Sequence, residues 1–553
     1  MTARTARTHT HLADPAPERG TGSSLAGLGP LLRLVLRRDR IRLPAWIAGH
    51  GLLVLYIGSA LPQLAPRVED LRNLTVMFAQ PVGRMFTGPA FGLENPTYER
   101  FFAAGHAPYL FILAALMNIF LITRHTRGEE QSGRAELIRA SVTGRHTALT
   151  AALLVAALAN TLTAVLVTGL AVVVGYAAAG SVLIGTATGL TGMVFAGIAA
   201  VTSQLTEFSR TATGTAGIVL AIAFVLRALG DMVAVGGSTL SWASPLGWAT
   251  QTAAYVHDRW APLALSAALA LVAMALAFAL QRRRDFGAGF VATRPGTARA
   301  RPWLGSPLGL AARLQRGGLL GWGTAILLLG IVDGSFTQAM IDAADGMPDE
   351  LSAVFGTEAL VEGYTAFLGA FVIIFAAAFG VYAMQTLRTE EGSGRADTVL
   401  ATPVGRISWS LSHVLVIAIG IVLIAAVTGL GTGLAAAVVT EDAALVGDIL
   451  LSHLAVVPAA LAGLGLCTAV FGWLPRLMAP AGWVLVAVMG IVDMFAELLD
   501  LPDWFRALSP LHHLAGIPVE DFALTPFLVV TGVAVALVAV GLLGLRRRQV
   551  NVV

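Results

Sequence analysis

Apolar residues in this chain come in runs too long for ordinary soluble helices. They fall near 44–63, 104–124, 147–175, 181–206, 212–235 and 260–280, and again near 317–337, 363–385, 408–437, 444–471, 477–497 and 524–545. A hydrocarbon core about 30 Å thick takes roughly 20 helical residues to cross, and each run reaches about that length. The pattern predicts an all-α polytopic membrane protein with about twelve transmembrane helices in two sets of six.

Polar stretches divide the chain into residues 1–43, a first six-helix repeat over 44–280, a linker over 281–316, a second six-helix repeat over 317–545 and a tail over 546–553. Within the first stretch, Leu31, Leu32, Val35 and Leu36 cluster while Arg33, Arg37 and Arg40 recur at i, i+4 and i+7. That spacing predicts an amphipathic helix on the membrane surface; an ordinary positive flank that sets topology is a compatible, simpler reading. No short apolar core with a small-residue cleavage site is present there, so no secretory signal is expected.

Arginine placement sets the expected orientation. With the N-terminus in the cytoplasm, the segments on that side hold 29 of the 36 basic residues. Both termini are therefore expected to be cytoplasmic at the cell membrane. Because six is even, the two halves would cross in the same direction, as parallel repeats.

Composition adds exclusions. Only 12% of residues are charged, against about 25% in soluble domains. All 36 basic residues are arginine, for which a GC-rich genome is the simplest cause. Without lysine the chain cannot build a Walker phosphate loop or a Schiff base. It is expected to be a non-enzymatic chain carrying no cofactor of its own. The single Cys467 excludes an intrachain disulfide, and a net charge of +3 does not suggest a nucleic-acid partner.

One internal match is sharp. Residues 129–145 align without a gap on 390–406, and nine of the seventeen positions are identical: Glu129/Glu390, Glu130/Glu391, Ser132/Ser393, Gly133/Gly394, Arg134/Arg395, Ala135/Ala396, Ala140/Ala401, Gly144/Gly405 and Arg145/Arg406. Chance would give roughly one or two. Weaker echoes join Trp46 to Trp322, Asp231-Met232 to Asp493-Met494, Ser244-Pro245-Leu246 to Ser509-Pro510-Leu511, and Arg282–Arg284 to Arg546–Arg548. The chain reads as a tandem duplication. Lipid-facing helices can drift while staying apolar, whereas this segment kept its charges and glycines, which points to recognition of something in the cytoplasm. The alternative is structural: Glu130 with Arg134 and Glu391 with Arg395 stand at i, i+4 and could pair within a helix for about 0.2–0.5 kcal/mol each.

Ionisable residues inside spans are costly and are functional candidates by default. Arg227 and Asp231 near the end of span five, and Asp493 and Glu497 in span eleven, are such residues; a self-neutralising pair is the simpler reading. Asp333, His413 and His453 stand alone. Gly185-x-x-x-Gly189 and Gly429-x-x-x-Gly433 predict close helix contacts. The segments near 236–259 and 498–523 hold Trp242, Trp248, Trp504, Pro245 and Pro510, and are too polar and broken to span. His512-His513 lacks a third ligand at a recognisable spacing.

The duplicated Glu-Glu-x-Ser-Gly-Arg-Ala block, the Ser244–Trp248 run and the arginine-rich stretch from Arg282 to Gly296 resemble the membrane subunits of ABC-2-type exporters. They resemble in particular the tandem permeases that export polyketide antibiotics, of the tetronasin-transport type. The resemblance implies that each half begins with an elbow helix and sends a coupling element from the loop between its second and third spans into a separate nucleotide-binding ATPase subunit, in two copies, which carries ATP and Mg. Carried over by position, Glu129, Glu130, Gly133, Arg134 and Glu136, with Glu390, Glu391, Gly394, Arg395 and Asp397, would form the two ATPase-coupling elements. The copies differ at Val142 against Pro403 and at Arg139 against Leu400, so they need not be equivalent. The broken segments before the last span of each half would be short re-entrant helices at an outer gate; interfacial tryptophan anchors are the plainer alternative. The implied cargo is a large hydrophobic or amphipathic compound. A proton-coupled, twelve-span facilitator is the second reading. Against it stand a charged loop of about 22 residues, paired glutamates ahead of the Ser-Gly-Arg-Ala block, and a first outer loop of about 40 residues.

Overall fold

The structure, a computed structural model, describes residues 23–140, 143–291, 298–343, 360–496 and 501–548. The described residues are helical and contain no strand. Among the described residues, eleven helices are long and apolar enough to cross a membrane: Arg42–Leu64, Ala107–Gln131, Thr147–Val173, Ala178–Leu205, Ser209–Val233, Ala261–Arg283, Pro307–Asp342, Val361–Gly392, Arg406–Thr440, Leu445–Trp473 and Leu524–Arg547. The shorter apolar helix Met478–Met494 fills the remaining place. These are numbered here as spans one to twelve, with Met478–Met494 the eleventh. Each coincides with one of the predicted apolar runs, and the protein is a multi-pass membrane protein.

Two features went beyond the hydropathy reading. The seventh span begins at Pro307, ten residues before its apolar run, because Ser306 caps it by accepting from the Gly309 N–H at 3.0 Å and proline suits the first turn. The tenth span is broken at Val456, where Pro458 removes a backbone donor.

The chain divides into two compact units. The first comprises residues 1–57, 106–227 and 239–293, and the second 58–105, 228–238 and 294–553. In the first, helix Leu28–Arg38 buries Leu31 and Val35 while Arg33 and Arg37 stay exposed, as its spacing predicted. Span four lies at its centre, packed against spans two, three and six, and its contact with span three is close. A Cβ at Gly185 would strike the Ala164 carbonyl and the Thr168 hydroxyl, and Gly189 lies against the Asn160 carbonyl. At that seam Asn118 and Asn160 exchange amide hydrogen bonds at 3.0 and 2.9 Å, both side chains being buried. The broken segment folds as the short helix Pro245–Thr250, capped by Ser244, whose hydroxyl also donates to the Ala223 carbonyl at 2.6 Å.

In the second unit, Gly429 and Gly433 press on His453 and Val446 of the Leu445–Ala455 helix. Arg84 is buried and donates to the carbonyls of Asp231 and Met232, each at 2.8 Å, neutralising the end of span five as a cationic C-cap.

The glycine seam yields a stability test. Gly185→Leu should lose about 1–3 kcal/mol by overpacking, read as a lower thermal midpoint of the detergent-solubilised protein. Gly169→Leu, on the exposed side of span three with open space around it, should change little. Equal losses at both positions would mean that the seam is not tightly packed.

Candidate functional site

The duplicated segments adopt one local structure twice. In the first copy a helix ends at Gln131, Gly133 takes a left-handed backbone with φ +73°, and a new helix runs over Arg134–Arg139. In the second, the helix ends at Gly392, Gly394 has φ +73°, and the next helix runs over Arg395–Leu400. An L side chain is disfavoured in that conformation, which explains glycine at both places. Backbone bonds repeat too: Gly133 N–H to Glu130 O at 3.1 Å and Gly394 N–H to Glu391 O at 3.0 Å.

The turn changes which charges meet. The expected i, i+4 pairs, Glu130 with Arg134 and Glu391 with Arg395, do not form. The left-handed glycine swings each arginine back by one more residue. Arg134 therefore grips Glu129 at 3.0 and 3.2 Å, and Arg395 grips Glu390 at 2.7 and 3.0 Å. The Glu129 and Glu390 carboxylates hold these two guanidinium groups above the ordinary arginine value. Both arginines remain more than half exposed as side chains, at 52% and 58%. Glu136 and Asp397 are exposed beside them.

The second glutamate of each copy points inward to a distant partner. Glu130 forms a two-pronged pair with Arg284, at 2.6 and 2.9 Å, and a further pair with Arg127 at 2.7 Å. Glu391 forms a two-pronged pair with Arg548 and lies 4.0 Å from Arg388. Arg284 and Arg548 are the third arginines of the triplets that close spans six and twelve. The last residue of each duplicated segment reaches the end of the corresponding span, though not the same register: Arg145 donates to the carbonyls of Gln281 and Arg282, at 3.1 and 2.6 Å, and Arg406 to that of Arg548 at 2.9 Å. Each charged segment is thus stapled at two points to the end of its own repeat. Sequence reasoning found both partners, the motif and the arginine triplets, but did not join them. Their common duplication was the available signal.

The first copy carries extra ties. Arg38 of the surface helix reaches Glu129 at 2.7 Å, and the almost fully buried Arg127 donates to the carbonyls of Ser203 and Ala288, at 2.8 and 2.9 Å. Of the positions where the copies differ, Val142 lies outside the described residues.

The intramembrane candidates do not join this cluster. Arg227 is buried with its guanidinium 4.8 Å from the Phe224 ring centroid, and Asp231 is fully buried. Asp493 accepts from the Ser509 hydroxyl at 2.7 Å, which joins two of the weaker echoes. Glu497 lies outside the described residues, as does residue 296 at the end of the arginine-rich stretch. Trp242 and Trp504 are exposed at 42% and 68%.

In the second copy burial predicts unequal roles for the paired glutamates, Glu391 being 3% and Glu390 14% exposed as side chains. Glu391→Gln leaves Arg548 facing a neutral group in a mostly buried pair and should cost about 3 kcal/mol. Adding Arg548→Gln should restore part of it, a coupling that a double-mutant cycle measures by chemical denaturation. Glu390→Gln breaks an exposed pair and should cost less than about 1 kcal/mol. Equal costs would contradict the assignment of Glu391 as the anchor.

Comparison with known proteins places the chain in a family. The family described as the multidrug efflux system permease Rv1217c, C-terminal domain, matches residues 28–282 and 304–546, so both charged turns lie within it. The multidrug efflux system permease protein Rv1217c of Mycobacterium tuberculosis is 36% identical over 545 residues, covering 97% of each chain. The chain belongs to the family of the multidrug efflux system permease Rv1217c.

Proposed function

We propose that this chain is the permease subunit of an ATP-driven efflux system, moving large hydrophobic or amphipathic drug-like compounds out across the cell membrane. A separate nucleotide-binding subunit, in two copies, supplies ATP hydrolysis with Mg, and both chain termini face it in the cytoplasm. The observation that carries this reading is the paired turn: two copies of one backbone form, each anchored by its second glutamate and each exposing an arginine and a carboxylate, Arg134 with Glu136 and Arg395 with Asp397. Charge-assisted hydrogen bonds at such positions give a partner directional contacts. The missing lysine supports the division of labour, because a phosphate loop must then lie on another polypeptide.

In this reading the anchored glutamates have a mechanical role. A push on either turn is carried through Glu130 to Arg284, or through Glu391 to Arg548, into the last span of that repeat. Glu129, Glu130, Glu390 and Glu391 transmit, while Arg134, Glu136, Arg395 and Asp397 touch the partner and Gly133 and Gly394 set the turn. The cargo path would lie among apolar side chains, in keeping with a non-polar cargo. Similarity to a relative named a multidrug efflux permease supports the class of cargo and not a single compound.

The test separates docking from folding. The purified chain should hydrolyse no ATP alone and should be recovered from native membranes with an ATP-hydrolysing partner. Arg134→Gln with Arg395→Gln should abolish that recovery and cut efflux at least tenfold, while lowering the thermal midpoint no more than the loss of exposed ion pairs does. Efflux that survives a collapsed ATP pool and stops when the proton gradient is dissipated would overturn the ATP-driven reading in favour of a proton-coupled facilitator.

A further inference from the structure

A second polar feature of the first unit adjoins the first charged turn and centres on a different carboxylate. Asp39 sits between the surface helix and the first span, is 2% exposed, and accepts from Arg124 at 2.6 Å while pairing with His125. Burial alone would raise its carboxyl, but the His125 bond and charge, with Arg124 and Arg42, hold it below the ordinary carboxylate range. Asp39 is therefore a committed anion. Arg42 opens the first span, is exposed, and makes no hydrogen bond or ion pair among the described residues. Arg38 and Arg42 both act electrostatically on Arg124. These three cations outnumber the carboxylates they face, Asp39 and Glu129, and Glu129 is also shared with Arg134.

This excess positive charge lies at a cavity of about 480 Å³ whose polar lining includes Arg42, Arg124, Ser209 and the carboxylate of Asp39, already engaged by Arg124 and His125, and whose apolar lining includes Trp46, Met117 and Phe120. Trp46 and Phe120 approach at 6.2 Å between ring centroids, and Phe120 is 47% exposed. From Arg124 to Met117 is seven helical residues, about 10 Å along the axis. The cavity thus joins a cationic end to an apolar furrow running into the second span. A free anion would use only the first part, and an uncharged hydrocarbon only the second.

The geometry points to a site for an anionic phospholipid of the leaflet on the arginine-rich face, with its phosphate between Arg42 and Arg124 and an acyl chain along Trp46 and Phe120. Guanidinium groups match phosphate oxygens, basic pockets between spans favour anionic headgroups, and tryptophan favours the membrane interface. The second repeat is an internal contrast. Counted from Trp322, the counterparts of Asp39 and Arg42 are Gln315 and Gly318; counted from Glu390, those of Arg124 and His125 are Gln385 and Thr386. The tryptophan persists and every charge is gone, so the lipid belongs to the first repeat alone. The site is independent of how transport is energised.

Native mass spectrometry of the full chain, released from detergent containing phosphatidylglycerol or phosphatidylcholine, tests this. Wild type should retain one phosphatidylglycerol and little phosphatidylcholine. Arg42→Gln should lower retention about fivefold, the factor one arginine contributes near an anionic leaflet. Arg42→Lys should restore most of it, and Arg37→Gln on the exposed face of the surface helix should leave it unchanged. Millimolar glycerol 3-phosphate should not compete. The proposal fails if phosphatidylcholine is held as firmly, if Arg42→Gln binds like wild type, or if glycerol 3-phosphate alone displaces the lipid.

Discussion

The two-pronged pair between the second glutamate of each charged turn and the last arginine of its repeat is the constraint around which the rest of each turn is arranged. A carboxylate as buried as Glu391, 3% exposed as a side chain, needs a fixed counter-charge, since an unpaired charge in such a place costs several kcal/mol. Arg548 supplies that counter-charge from the far end of the repeat. The left-handed glycine then becomes necessary, because it releases the following arginine to bond the first glutamate and not compete for the second. Arg406 and Arg145 complete the arrangement by holding the carbonyls at the same helix ends. Two bonds across such a long sequence separation fix the turn against the sixth span of each repeat more firmly than any i, i+4 pair on one helix.

Much of this was legible in the sequence because lipid imposes a crude and strong rule. A run of about twenty apolar residues has few options other than a helix, so all twelve places were found. The surface helix from Leu28, and the seams at Gly185 and Gly429, followed from spacing alone. The early start of the seventh span and the break at Val456 depend on single residues, Ser306 and Pro458, whose local effects hydropathy averaging removes. Pair identity was the hardest part. Glutamate and arginine at i, i+4 suggest a helical pair only while the helix is unbroken, and Gly133 and Gly394 break it. A positive φ is a property of a folded turn, although a glycine kept in both copies was its sequence trace.

Duplication also exposes what the two repeats do not share. The left-handed glycines and the pairing of each glutamate with its arginine recur in both, although the first glutamate is the more buried in the first copy and the second glutamate in the second. Around them the first copy adds Arg38, a fully engaged Arg127 and the Asp39 cluster, whereas the second has Leu314, Arg388 at 4.0 Å from Glu391, and Gln315. Gln315 is also buried but donates to the Ala383 carbonyl at 3.0 Å. A neutral amide there satisfies its surroundings without the cation excess that the first copy carries.

That difference separates two kinds of requirement on one scaffold. Features kept in both copies are those that hold each charged turn at a set angle to the last span of its half, and the coupling proposed above would use both. Features present once cannot serve a job that both halves perform alike. The Asp39 cluster costs the desolvation of a carboxylate and repays it with bonds to Arg124 and His125, a poor bargain for stability when Gln315 solves the same packing problem without charge. Its retention in one half is better explained by what the surplus arginine can hold at the membrane surface than by what it adds to the fold.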